Sequence, residues 1–314
     1  MNVFYCDHHA VPLPDGHRFP MGKYAALRRA LLDEGVLRPD ELHPAEPAPL
    51  EAILAVHDRR YVEAFLGGTL ERAAMSRIGF PWSPGLVQRS LASTGATLAA
   101  ARAALSGPSS GVAGALAGGT HHAFADCGAG YCVFNDIAVA ARSLLDRGRA
   151  HRVLVFDVDV HQGDGTAAIF ADEPRVFTCS IHGARNFPLR KQTSDLDVPL
   201  PDATGDEAYL EALEVAFGQA LERARPDFVF YQGGVDPLAE DRLGRLALSQ
   251  EGLQRRDERV FAELRRRGIP FVLTLGGGYA EPIKASVRAH VGTYRAVTAA
   301  LRSRPAPQSS QGST

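Results

Sequence analysis

The sequence predicts an α/β fold in one domain, a mostly parallel central sheet with helices on both faces. Two patterns carry this expectation. Short apolar runs at residues 112–116, 153–156, 228–231 and 271–275 lead into GGTHH, DVDVHQGDG, QGGVD and GGGY, respectively. Helical stretches near residues 86–105, 136–147, 206–225 and 249–267 lie between or beside them. Strands apolar along their whole length are covered on both faces, and a helix joining successive strands makes them parallel. In such sheets the ligand site lies beyond the carboxyl ends of the strands. Each unusual polar cluster of this chain falls at such an end.

The other segments fit around that frame. One helix is expected near residues 23–34 and another from about Asp58, with proline-rich residues 43–50 as a loop between them. No stretch resembles a linker between two cores, so residues 1–303 are expected to form a single domain. The tail, residues 304–314, is polar and ends PAPQSSQGST, so disorder is expected there.

Composition excludes several classes. The chain of 314 residues is 45% hydrophobic and 22% charged, the balance of a soluble globular protein, with no segment apolar enough to span a bilayer. The start MNVFYCDHH lacks the features of an export signal, so a cytoplasmic location is expected. Four cysteines, Cys6, Cys127, Cys132 and Cys179, form no CxxC pair and read as reduced thiols. A net charge of -2 argues against binding nucleic acid through bulk electrostatics, and no membrane partner is expected. Arg255-Arg256 and Arg265-Arg266-Arg267 read as solvated helix faces. The expected partner is small or peptidic.

Asp157, Asp159 and His161 alternate with Val158 and Val160 directly after VLVF. Residues two apart on an extended chain face the same side, so these three groups share one face. Two carboxylates crowded with an imidazole invite a cation. Capping and turn residues around HQGDGT would leave the same letters, with Asp164 as an N-cap. Asp236 adds weight to the metal, because it follows FVFYQGGV, a second strand and a double glycine. Alone, an Asp before Pro237 fits a turn equally well. Two Asp and one His with an open position suit a catalytic zinc, while oxygen-rich ligation also admits iron or manganese.

His121 and His122 close the GGT run, where both rings can turn inward, or remain plain loop histidines. Beside a metal, neutral imidazoles supply a base for water and an acid for a leaving amine. Asp157 and Asp164 would then fix their tautomers. Tyr279 closes GGGY, and its hydroxyl can donate to an oxyanion; a tyrosine packed under a glycine turn is the plainer alternative.

Together these segments resemble the histone deacetylase superfamily. GGTHHA, GAGYCVFND, FDVDVHQGDGT, GGVD and GGGY occur in the family's order and at similar spacing, and the likeness runs from about Val3 to Leu301. HRFPMGKY and EDRLGRLALSQEGLQRRDERVF look most like its class IV and bacterial deacetylase-like branch. The resemblance implies an arginase/deacetylase fold and a zinc-dependent deacylase, one Zn2+ per chain held by Asp159, His161 and Asp236. It makes His122 the general base and acid, His121 its electrostatic partner, Asp157 and Asp164 their carboxylate partners, and Tyr279 the donor to the carbonyl oxygen. Tyr131 and Phe187 would wall an acyl-lysine tunnel, with Gly130 and Leu243 beside them. A structural K+ or Na+ would sit on Asp157, Asp159, His161, Ser180 and the carbonyl of Ile181. Arg18 corresponds loosely to an arginine lining the cavity beneath the zinc, and Cys132 is expected to pack the wall.

One departure concerns substrate. The segment SRIGFPWSPG, residues 76–85, offers no carboxylate to grip a peptide backbone, and Trp82 could shape a different rim. Removal of acetyl or longer acyl groups from acylated lysine is the expected activity. The alternatives are deacetylation of acetylpolyamines or other small amides, and a catalytically silent acyl-binding protein. An arginase-like binuclear manganese site would need additional carboxylate ligands.

Overall fold

The computed structural model of the chain describes residues 1–9, 11–106 and 111–302. The tail at 304–314, expected to be disordered, lies outside the described residues. Among them, eight strands form one sheet: β1 (Asn2–Tyr5), β2 (Leu42–Pro44), β3 (Val112–Ala115), β4 (Val153–Asp157), β5 (Val176–Gly183), β6 (Leu196–Leu200), β7 (Phe228–Gln232) and β8 (Phe271–Thr274). Their order is β2-β1-β3-β8-β7-β4-β5-β6, and every neighbouring pair is parallel. The four strands read from apolar runs, β3, β4, β7 and β8, are buried at every position. Covered on both faces, they have no polar side to alternate with.

The helices are α1 (Lys23–Asp33), α2 (Leu50–Leu54), α3 (Arg59–Leu66), α4 (Arg72–Ile78), α5 (Pro84–Leu105), α6 (Asp136–Asp146), α7 (Asp164–Phe170), α8 (Asp206–Ala224), α9 (Gln250–Arg267) and α10 (Lys284–Arg302). They form two layers, α1, α8, α9 and α10 packing side by side in one and α2, α5, α6 and α7 in the other. Local chemistry sets their starts. Ser83 accepts the Leu86 amide ahead of Pro84 in α5, Asp58 caps α3, Asn135 caps α6 and Ser249 caps α9. Among the described residues no helix is long and apolar enough to cross a membrane.

Three expectations need correction. Residues 43 and 44 of the expected loop belong to β2, which extends the sheet by pairing with β1. Asp164 is the first residue of α7 and Gly163 occupies the cap position, because the Asp164 carboxylate is turned to a histidine instead. Arg256 is not on a solvated face: it is fully buried, and its Nε donates to Asp257 at 2.8 Å.

Register aligns the strand ends. Asp157 at the end of β4 pairs with Ser180 of β5 on one side and Gln232 of β7 on the other, and Gln232 pairs with Thr274 of β8. The loops after these strands therefore emerge at one edge of the sheet.

Candidate active site

At that edge Asp159 and His161 follow β4 and Asp236 follows β7. All three are buried, and one donor atom of each lies within 4.8 Å of the others. His161 Nδ1 is 3.0 Å from Asp159 Oδ1 and 3.2 Å from Asp236 Oδ2. Backbone amides hold the carboxylates in place. Gly277 N donates to Asp159 Oδ2 at 2.7 Å and Val160 N to Asp236 Oδ1 at 2.9 Å. Burial, together with the Asp159 charge, pushes the Asp236 carboxyl up to about 7.

His121 and His122 both turn inward from the GGT loop, with ring centroids 4.1 Å apart. His121 Nδ1 donates to Asp157 Oδ2 at 2.7 Å, and His122 Nδ1 donates to Asp164 Oδ1 at 2.6 Å. Each carboxylate thus fixes one tautomer and leaves Nε2 as the second nitrogen. The pair splits electrostatically. Burial lowers His121, but the Asp157 and Asp159 charges and the Asp157 hydrogen bond outweigh it and raise the group to about 9. Burial and the neighbouring His121 charge push His122 down to about 4. The surroundings therefore favour the neutral form of His122, while the carboxylates beside His121 favour its protonated form.

These groups open into one cavity of about 640 Å³. Gly130, Tyr131, Phe187 and Leu243 line it together with both histidines, the three clustered ligand candidates and Tyr279. His122 meets Phe187 edge-on at 4.8 Å between centroids. Gly130 and Tyr131 both adopt left-handed backbone, φ 54° and 66°. A Cβ on Gly130 would press against the His122 ring, while Tyr131 carries strain that only a held loop sustains. The loop is held: Gly130 N and Tyr131 N donate to Arg77 O and Ile78 O at the end of α4. The Tyr279 phenol is half-buried, and burial raises it well above its usual range, so it stays a donor.

The sequence profile described as "Histone deacetylase domain" matches residues 17–294. The chain belongs to the histone deacetylase family. An uncharacterized protein of Picosynechococcus sp. is 44% identical over 294 residues, covering 94% of this chain and 97% of its own length. The histone deacetylase-like amidohydrolase of Pseudomonas aeruginosa is 32% identical over 272 residues, covering 81% and 70%. Acetylpolyamine aminohydrolase from Burkholderia pseudomallei shares the fold, with a TM-score of 0.75 at 23% identity and coverage of 96% and 99%.

In this histone deacetylase domain Asp157, Ser180 and Ile181 lie side by side on β4 and β5, and Ser180 Oγ is 3.0 Å from His182 Nδ1. Cys132 is buried in the cavity wall, its thiol pushed up by burial. Arg18 is exposed and does not line the cavity. The buried arginine that does is Arg89, from α5. Trp82 lies outside the cavity lining, anchored by its Nε1 donating to Phe65 O at 2.7 Å.

Several supports escaped the sequence reading. Asp136 accepts Gly119 N at 3.0 Å and Thr120 N at 2.7 Å, holding the turn that carries the histidines. Gln232 Nε2 donates to Gly119 O at 2.8 Å from the end of β7. Arg256 Nη1 donates to Gly234 O at 2.7 Å and Val158 O at 3.3 Å, tying together the two loops that carry the Asp–His–Asp cluster. Lys23 Nζ donates to Gly278 O at 3.2 Å and lies 5.0 Å from the Tyr279 ring centroid. Asp136 and Gln232 show in the sequence only as polar residues beside apolar stretches, and Arg256 is hidden among charged neighbours.

Proposed function

We propose that the protein is a zinc-dependent amide hydrolase that removes acyl groups, acetyl or longer, from acylated lysine or a related amine. The observation that carries this reading is the pair of histidines, each donating to its own carboxylate, beside the Asp159–His161–Asp236 cluster. The donor set fits a divalent ion. Oδ2 of Asp236 is buried with no hydrogen bond, and it faces His161 Nδ1. An orphaned buried carboxylate oxygen is costly unless a cation takes it. A Cβ on Gly277 would overlap the same oxygen, so glycine keeps that approach open.

Asp159, His161 and Asp236 would hold the zinc, which supplies polarisation of the acyl carbonyl and a lowered pKa for the attacking water. His122, neutral and oriented by Asp164, takes the proton of that water at Nε2 and later delivers it to the leaving amine. His121, held by Asp157, contributes positive charge next to the reacting atoms. The Tyr279 hydroxyl donates to the acyl oxygen as negative charge develops there. Gly130, Tyr131, Phe187 and Leu243 wall the aliphatic stem of the amine and exclude water. Asp157, Asp159, His161, Ser180 and Ile181 would hold K+ or Na+, a reading supported by the pairing of Asp157 with Ser180.

The lining bears on substrate. Among the described residues its arginines are Arg77, Arg89, Arg185 and Arg245, and its carboxylates are Asp159 and Asp236. Arg185 and Arg245 both pair with Asp202, at 2.6 and 3.3 Å, so the unbalanced positive charge is that of Arg77 and Arg89, and it disfavours a polyamine relative to an acyl-lysine. A silent acyl-binding protein would have no use for the complete proton-transfer set. The test is hydrolysis of a fluorogenic acyl-lysine by zinc-loaded protein with and without chelator. Turnover lost on chelation and restored by zinc is expected; turnover indifferent to chelator refutes the reading.

A further inference from the structure

The cavity that exposes the Asp–His–Asp cluster also reaches α5. Leu86, Arg89, Ser90, Ser93 and Thr94 recur at helical spacing and line it along one face. Arg89 is only 7% exposed. Its guanidinium lies 4.5 Å from the Tyr24 ring centroid, and among the described residues it makes no hydrogen bond or ion pair. A cation–π contact offsets only part of the cost of burying a charge. Other buried cations of this chain are paired: Arg256 has Asp257 and two carbonyls, and Lys23 has the glycine carbonyls. Among the described residues Arg89 is the buried cation left without a hydrogen-bonded partner, and it lines the same cavity as the Asp–His–Asp cluster.

We propose that Arg89 makes this end of the cavity a carboxylate-recognition pocket, so that the acyl groups removed include mono-amides of short dicarboxylic acids. The proposal rests on the deacylase reading above. A guanidinium matches the two oxygens of a carboxylate in a bidentate pair. Ser93 assists, since its Oγ accepts Gly118 N at 3.1 Å and keeps its own proton for an acceptor in the cavity. Ser90 and Thr94 spend their hydroxyl protons on helix carbonyls and contribute none. A neutral chain of equal length would strip water from Arg89 and leave it unpaired, which is the basis of discrimination. In the hydrolysis the water oxygen joins the acyl carbon and the C–N bond breaks. The amine leaves with a proton, and the other product is a dicarboxylate.

The test uses zinc-loaded protein and lysine peptides bearing succinyl, glutaryl or adipoyl groups, each beside the neutral terminal amide of the same length. Acetyl-lysine serves as the reference. At least one carboxylated chain should exceed its amide by about 10-fold or more in kcat/KM, as expected for a charge-assisted hydrogen bond. Arg89→Met should bring that ratio close to one, and Arg89→Lys should retain part of it. A ratio near one in the wild type, or one that survives Arg89→Met, overturns the proposal. If acetyl-lysine is cleaved and no carboxylated chain is, the pocket assignment fails while the deacylase reading stands. Calorimetric titration of glutarate into wild type and Arg89→Met reads the pocket without turnover, and binding lost in the variant is expected. Equal binding by both, or by neither, overturns the proposal. Acetate titrated in parallel identifies the source of the carboxylate: if it binds as tightly as glutarate, Arg89 serves the released product and the acyl-chain assignment falls.

Discussion

Asp241 accepts the backbone N–H of Tyr279 through Oδ2 at 2.6 Å, while its Oδ1 accepts the amides of Leu243 and Gly244 at 2.9 and 3.0 Å. One carboxylate therefore ties the loop after GGG to the loop that walls the cavity. Asp241→Asn presents an amide N–H to one of these donors and should loosen Tyr279. We expect kcat to fall about 10- to 100-fold, the cost of a displaced catalytic group. In a Tyr279→Phe background the same change should cost far less, because the two act as a unit. Additive losses in the double variant would separate Asp241 from Tyr279.

Tyr279→Phe removes a hydroxyl and leaves the ring. The expected loss is about 10²-fold or more in kcat, as for other oxyanion donors, with zinc content unchanged. Steady-state kinetics on an acyl-lysine substrate measures it, and an undiminished kcat excludes Tyr279 from the chemistry.

Asp236→Ala should abolish zinc binding, since Asp159 and His161 alone provide too few ligands for a tetrahedral ion. Elemental analysis of the purified variant decides the point; full zinc occupancy would mean that the ion is held elsewhere.

Arg256→Met leaves Asp257 buried without its cation. Removing one partner of a buried pair costs about 3–5 kcal/mol, readable as a lower urea midpoint. A variant as stable as wild type would show that Tyr231 and Thr293, which also donate to Asp257, suffice to hold it.

Acid should destabilise the fold through its buried histidines. His57 is lowered to about 4 from 6.5 mainly by burial, against its hydrogen bond to Phe124 O, and burial likewise takes His182 to about 4. Above 6.5 these imidazoles are neutral in both folded and unfolded chains. As pH drops from 6.5 towards 4 the unfolded chain binds protons and the folded one does not, so stability falls. Each contributes a slope of up to about 1.4 kcal/mol per pH unit. Urea titrations across this window should show the decline, and His57→Gln should flatten it by one proton. A flat profile for the wild type would contradict the burial argument.

The fold was legible where strands are continuously apolar. β3, β4, β7 and β8 were read within a residue or two, because both faces are covered and composition alone marks them. β1, β2 and β6 were missed: they are short outer strands with partly exposed residues. β5 was missed although largely buried, since its sequence VFTCSIHG carries small polar residues along its length. The candidate site was legible because its residues punctuate the apolar strands. Arg256, Asp241 and Arg89 were not, since each sits in a polar segment where a charge looks solvated. Only tertiary packing reveals that they point inward. Arg18 misled for the converse reason, being a charge in a promising segment that faces solvent.

β4 and β7 are direct neighbours in the sheet, yet α7, β5, β6 and α8 intervene along the chain. During synthesis, a nascent polypeptide ending anywhere before residue 236 presents Asp159 and His161 without their third companion. It could capture an ion only weakly and in the wrong geometry. At the proposed zinc site tight uptake would therefore await emergence of the seventh strand and the loop after it that carries Asp236, so that acquisition of the ion would mark the late stage of assembly.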